Sequence, residues 1–100
     1  MIDDTLLLKR WVHSHEEDKG DRIVYRTSEF AFPPARGRTG MTLASNGHAE
    51  FEGPGPVDRG VKTSGSWVLE GNLLTISAPG WSKAFEVESV AENMLIVRRR

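Results

Sequence analysis

Apolar and polar residues alternate along most of this chain, and no stretch sustains a helical period. "GSWVLEGNLLTI", residues 65–76, carries the pattern clearly. Trp67 and Leu69 precede a turn, Leu74 and Ile76 follow it, and polar or solvent-tolerant neighbours separate them. Residues two apart on a strand share a face, so these pairs mark one buried side. Phe85 with Val87 and Leu95 with Val97 repeat the arrangement, and Tyr25, Met41, Leu43 and Phe51 extend the inward set. Turn signals about every twelve residues divide the chain into eight short strands, at 10–15, 22–28, 39–45, 48–52, 64–70, 73–78, 81–88 and 94–99. "GPGPVDRG" (53–60) breaks the pattern, because its prolines and glycines do not suit a paired strand. Asp3 or Asp4 can cap one short helical turn holding Leu6 to Leu8. Sequential hairpins of similar length predict an all-β fold, a single eight-stranded antiparallel up-and-down barrel that closes to hide its edges. Eight strands enclose just enough room for side chains, so a mostly packed interior with at most a small pocket at one end is expected.

Composition narrows the possibilities. At 100 residues the chain is one domain, 1–100. Thirteen basic and fourteen acidic residues leave a net charge of −1, which gives no global attraction to nucleic acid or a membrane surface. The absence of cysteine excludes disulfides and thiolate metal sites. The opening "MIDDTLLLKRW" has an apolar run too short for a signal peptide or a span, so a soluble, cytoplasmic protein is expected.

Several short segments resemble a family. "GSWVLEGNLLTI", "FEVESV" (85–90) and "MLIVRRR" (94–100) are similar to the second half of small bacterial lipocalin-like barrels, where a strand opening Gly-x-Trp leads into a hairpin and a closing strand pair. "LKRW" (8–11) resembles the lipocalin opening, with Lys9 standing where the family has glycine. The resemblance implies that Trp11 packs at the barrel floor with Arg98, from the last strand, lying across it. It implies binding in general and names no ligand.

The densest chemistry lies in "HSHEED", residues 13–18. On a strand His13 and His15 share the face of Trp11, and with Glu17 or a neighbouring acid they supply nitrogen and oxygen donors for zinc or a similar ion. In a simple meander His48 would approach from the turn between the third and fourth strands. The plainer alternative is a solvated acidic turn and rim histidines that satisfy hydrogen bonds. No Gly-x-Ser-x-Gly, Walker or zincin pattern accompanies them, and the glycine-rich "GRTGM" and "GPGPVDRG" open no helix, so no catalytic residues are assigned.

A meander also sorts charge by pole. "EEDKGD", "SNG", "EGN" and "VAEN" fall at one end, while "EFAFPPARGR", "GPGPVDRG", "PG" and both termini fall at the other with most of the basic residues. Loops on a rigid scaffold are where binding residues concentrate. Pro33 and Pro34 stiffen the first long loop, and Arg36 and Arg38 can each grip a carboxylate or phosphate with two hydrogen bonds. The expectation is a non-enzymatic binding module without cofactor, recognising an anionic small molecule or an acidic protein surface. Arg36 and Arg38 are its principal contacts, Arg59 and Arg98 support them, and Trp81 packs on the ligand. The basic residues lack the regularly interleaved aromatics of a nucleic-acid stacking platform. The alternative is a metal-binding protein or small metal-dependent enzyme centred on His13, His15 and Glu17. Contact between "HEED" and "ARGR" would undo the pole assignment and make the two segments one salt-bridge network.

Overall fold

A computed structural model describes residues 4–34, 38–53 and 61–99. Eight strands form one closed antiparallel barrel: β1 (Arg10–His13), β2 (Arg22–Arg26), β3 (Gly40–Leu43), β4 (His48–Gly53), β5 (Val61–Glu70), β6 (Leu73–Ala78), β7 (Trp81–Val90) and β8 (Met94–Arg99). Neighbours alternate up and down around the whole ring. Two short 3-10 turns, Asp4–Leu7 and His15–Glu17, are the only helical elements among the described residues. Seven of the eight predicted strands keep their place to within two residues at each end. The first strand stops at His13, so His15 sits in a 3-10 turn and not on the face of Trp11, and β5 begins at Val61, ahead of the expected 64.

The ring follows chain order from β3 to β8 and departs from it at the first hairpin. β1 lies between β2 and β3, and β2 pairs with β8, Tyr25 opposite Leu95 and Ile23 opposite Val97. Because β3 is antiparallel to β1, it starts at the end where β1 finishes. The connection 27–39 therefore returns the chain to that end, well within the reach of extended backbone at about 3.5 Å per residue. Its described residues lie as a strap against the outer face of β1. Val12 points outward from that strand and is still only 8% exposed, beside Phe32, Pro33, Pro34 and Arg38.

This order corrects the pole assignment. The "HSHEED" turn shares its end, here called the mouth, with the start of β3, the Pro79–Gly80 turn and the C-terminal end of β8. His48 opens β4 at the opposite end, the foot, and does not approach His13.

The two ends differ in packing. At the foot, Leu7 of the first 3-10 turn plugs the barrel and accepts a hydrogen bond from Trp11 Nε1 at 3.1 Å, with both residues 0% exposed. Trp67, Leu43, Leu74, Leu95 and Val97 fill the space around them. Lys9 crosses this end, donating to the Glu92 carbonyl at 2.8 Å and standing 5.5 Å from the Trp11 ring centre. Lys9 thus takes the place expected for Arg98, which lies on the outer surface and pairs with Asp21 at 3.3 Å. Gly65 lets β5 approach its neighbour closely, since a Cβ there would overlap the Ser77 carbonyl oxygen and stand 2.8 Å from Phe51 Cε2. Gly80 follows Pro79 with φ +91, the left-handed geometry that a tight Pro-Gly turn demands and that side chains disfavour.

Candidate ligand-binding site

Two forked ion pairs hold the acidic turn, one to the strap through Arg38 and one to β2 through Arg26. Arg38 donates to both oxygens of Glu16, at 2.7 and 2.6 Å, and also to the Pro33 and His13 carbonyls at 2.6 and 3.3 Å. Arg26 grips both oxygens of Glu17 at 2.9 and 2.8 Å, and buried Ser14 donates to the same carboxylate at 2.8 Å. The two guanidinium groups lie over Phe30 and Phe32, 4.5 Å from the ring centre for Arg26 and 4.7 Å for Arg38. The Arg38 hydrogen bonds hold the Glu16 carboxyl down at about 2, and those from Arg26 lower Glu17. Such paired, charge-assisted bonds are the strong kind, and they tie the turn to both the strap and β2.

The residues singled out in the sequence are therefore divided. Arg38 is committed to Glu16. Arg98 is committed to Asp21 and also stands 3.6 Å from Glu88 on the outer wall. Arg36 and Arg59 lie outside the described residues. His13 Nε2 is 2.8 Å from Asp18, whose other oxygen accepts the Val24 amide at 2.9 Å. His15 is exposed, 6.1 Å from His13 between ring centres and 3.5 Å from Glu16, while Glu17 faces Arg26. Among the described residues no group of three His, Cys, Asp or Glu side chains is placed to hold a metal ion.

Trp81 occupies the mouth. It shares the inward face of β7 with Lys83, Phe85 and Val87, and its ring meets Phe51 edge-on at 5.0 Å. Above the packed foot the barrel opens into two adjoining cavities of about 370 and 680 Å³ that share Tyr25, Thr39, Lys83 and Phe85. The smaller is walled by Met41, Phe51, Ile76 and Trp81. The larger is bordered by His13, Ile23, Ser82 and Arg99. Volumes of this order suit small organic ligands.

Topology sorts the lining into two arcs. Lys83, Arg99, Tyr25, His13 and Thr39 come from β7, β8, β2, β1 and the approach to β3, which are consecutive around the ring. Phe51, Ile76, Trp81 and Phe85, from β4, β6 and β7, form an adjoining apolar wall, with Trp81 and Phe85 flanking Lys83 on β7. Placing β1 between β2 and β3 is what sets His13 beside Thr39, whose carbonyl accepts the His13 amide at 2.9 Å. Neither Lys83 nor Arg99 has a carboxylate within 4.0 Å among the described residues, unlike Arg10, Arg22, Arg26, Arg38 and Arg98. Tyr25 packs against His13 at 5.4 Å, and its hydroxyl makes no hydrogen bond to a described residue. Burial, reinforced by the Asp18 carboxylate and opposed by Arg99, raises this phenol to about 12, so it stays a neutral donor.

The sequence places Lys83 and Arg99 at the basic pole without marking them as ligand contacts, although a signal for that was present. Continuing the parity of Phe85 and Val87 reaches Lys83, and continuing that of Leu95 and Val97 reaches Arg99. A cation at the end of an inward-facing series marks the rim of a barrel. Compared with family models, curated proteins and solved structures, the chain finds no match.

Proposed function

We propose that this protein is a non-enzymatic, lipocalin-like binding module that takes an anionic small molecule with an apolar body into the barrel mouth. The observation carrying this reading is the pair Lys83 and Arg99, two cations free of carboxylate partners among the described residues and set beside an aromatic wall. Ion pairing elsewhere consumes the other described arginines, whereas these two lack a counter-charge among the described residues and a bound anion supplies one. Both stand exposed at the rim of cavities sized for a small molecule, which favours such a ligand over an acidic protein surface. Arg38 acts indirectly, by fixing the strap and turn that frame the mouth, and Trp81 offers the ligand a flat apolar face. The cysteine-free sequence suits a cytoplasmic setting.

A thermal-shift series with small aromatic carboxylates and phosphates tests the reading. A ligand at one hundred times its Kd adds about 2.7 kcal/mol, a rise of about 10–20 °C for a domain of this size. The shift is expected to vanish in Lys83→Met plus Arg99→Met and to persist in Arg98→Ala. Retention in the double variant sinks the proposal, as does loss in Arg98→Ala alone.

A further inference from the structure

The charge balance of the mouth says more about the ligand than its sign. Glu52, the carboxylate in this lining, pairs with Arg10 at 2.9 Å, and His13 Nε2 contacts Asp18 at 2.8 Å. Lys83 and Arg99 remain, so the lining described here carries two positive charges without a counter-charge. A monocarboxylate would neutralise one of them and leave the other exposed to like-charge repulsion.

Their placement favours one doubly charged group over two separate ones. Arg99 is directly opposite Phe85, and Lys83 is two residues further along the same face of β7. Diagonal neighbours in a sheet stand about 7–8 Å apart, and two long side chains can converge across that distance on a single head group. The neutral Tyr25 hydroxyl adds a donor from β2, and Thr39 adds another from the approach to β3. A guanidinium fork, an ammonium and hydroxyls together match a tetrahedral group with several acceptor oxygens better than a planar one with two. The adjoining wall is aromatic, and Trp81, 39% exposed and in ring contact with Phe51 among the described residues, offers a flat surface.

Building on the anion-binding reading above, we infer that the ligand is a phosphate monoester whose dianionic head sits between Lys83 and Arg99 and whose flat one- or two-ring body lies against Trp81. Phosphate monoesters carry close to two negative charges above their second pKa near 6. No bond is made or broken in this role.

Calorimetric titration at pH 8 and fixed ionic strength, with 1-naphthyl phosphate, 1-naphthoate and inorganic phosphate, separates the components. Naphthyl phosphate is expected to bind at least about ten-fold more tightly than naphthoate, and Lys83→Met and Arg99→Met should each weaken it by about ten-fold or more. Trp81→Ala should weaken naphthyl phosphate while leaving inorganic phosphate unchanged, with circular dichroism verifying that each variant is folded. Naphthoate binding as tightly as naphthyl phosphate overturns the phosphate head and leaves the anion site standing. Failure of both naphthyl ligands overturns the site itself. An unaffected Trp81→Ala variant overturns the aromatic seat.

Discussion

Replacing Gly65 with alanine tests the barrel geometry that shapes the mouth. A Cβ at this position would overlap the Ser77 carbonyl oxygen on β6 and reach 2.8 Å from Phe51 Cε2. The oxygen belongs to strand backbone paired on both sides, Ser77 opposite Ser66 on β5 and Ser82 on β7, so it cannot swing aside as a flexible side chain would. Relief requires β5 and β6 to separate or Phe51 to leave its contact with Trp81. Overpacking by one methyl typically costs about 1–3 kcal/mol, and an unyielding backbone neighbour places this site near 3. At a site with room, the same change would stabilise by about 0.4–1 kcal/mol by restricting the unfolded chain, so even the sign is diagnostic. A loss of about 3 kcal/mol lowers Tm by about 12–24 °C in a domain of this size. Urea denaturation should show a lower midpoint with an unchanged slope, because the surface exposed on unfolding is nearly the same. A neutral or stabilised Gly65→Ala variant would refute the close strand approach, and with it the seating of Phe51 at the edge of the cavity.

Other consequences are accessible to simple measurements. Tyr25 is the one tyrosine in the sequence, so ultraviolet titration of the phenol reports it directly: a midpoint near 12 is expected, and an ordinary midpoint near 10 would contradict its burial in the mouth. Glu16 and Glu17 are held below the usual carboxyl value by Arg38 and Arg26, so their contribution to stability is present above about pH 4.5 and is lost as the pH falls through the folded values, about 2 for Glu16. Denaturation midpoints should therefore fall between pH 5 and pH 2, and less steeply in Glu16→Gln; identical profiles would mean that the forked pair does not form. Trp11→Phe removes the Nε1 donor to the buried Leu7 carbonyl and should cost about 1–3 kcal/mol by chemical denaturation, whereas no loss would detach the first 3-10 turn from the barrel floor.

Much of the fold was legible because strand parity is local. Trp67, Leu74, Ile76, Phe85, Val87, Leu95 and Val97 all lie in the core where alternation put them. Hairpin turns are local too: "EGN" and "PG" close β5–β6 and β6–β7 at the expected residues. The site was less legible. Arg38 looked available for a ligand, but only the folded chain brings Glu16 to it across 22 positions. Trp81 was identified as a ligand-facing residue and does face the mouth, while Lys83, on the same face of the same strand, was passed over.

The sequence by itself determined the all-β class, the inward and outward faces and nearly every turn, since each depends on residues within a few positions of one another. Tertiary structure alone decided that β1 would stand between β2 and β3. That choice depends on whether the first strand closes against β8 or lets β2 do so, a competition among distant pairings that alternation does not rank. The outcome moved the acidic turn to the mouth, matched its carboxylates to Arg26 and Arg38, and left Lys83 and Arg99 without a counter-charge among the described residues. Charge counting along a chain is blind to such matching, because ion pairing acts through space at a few ångströms.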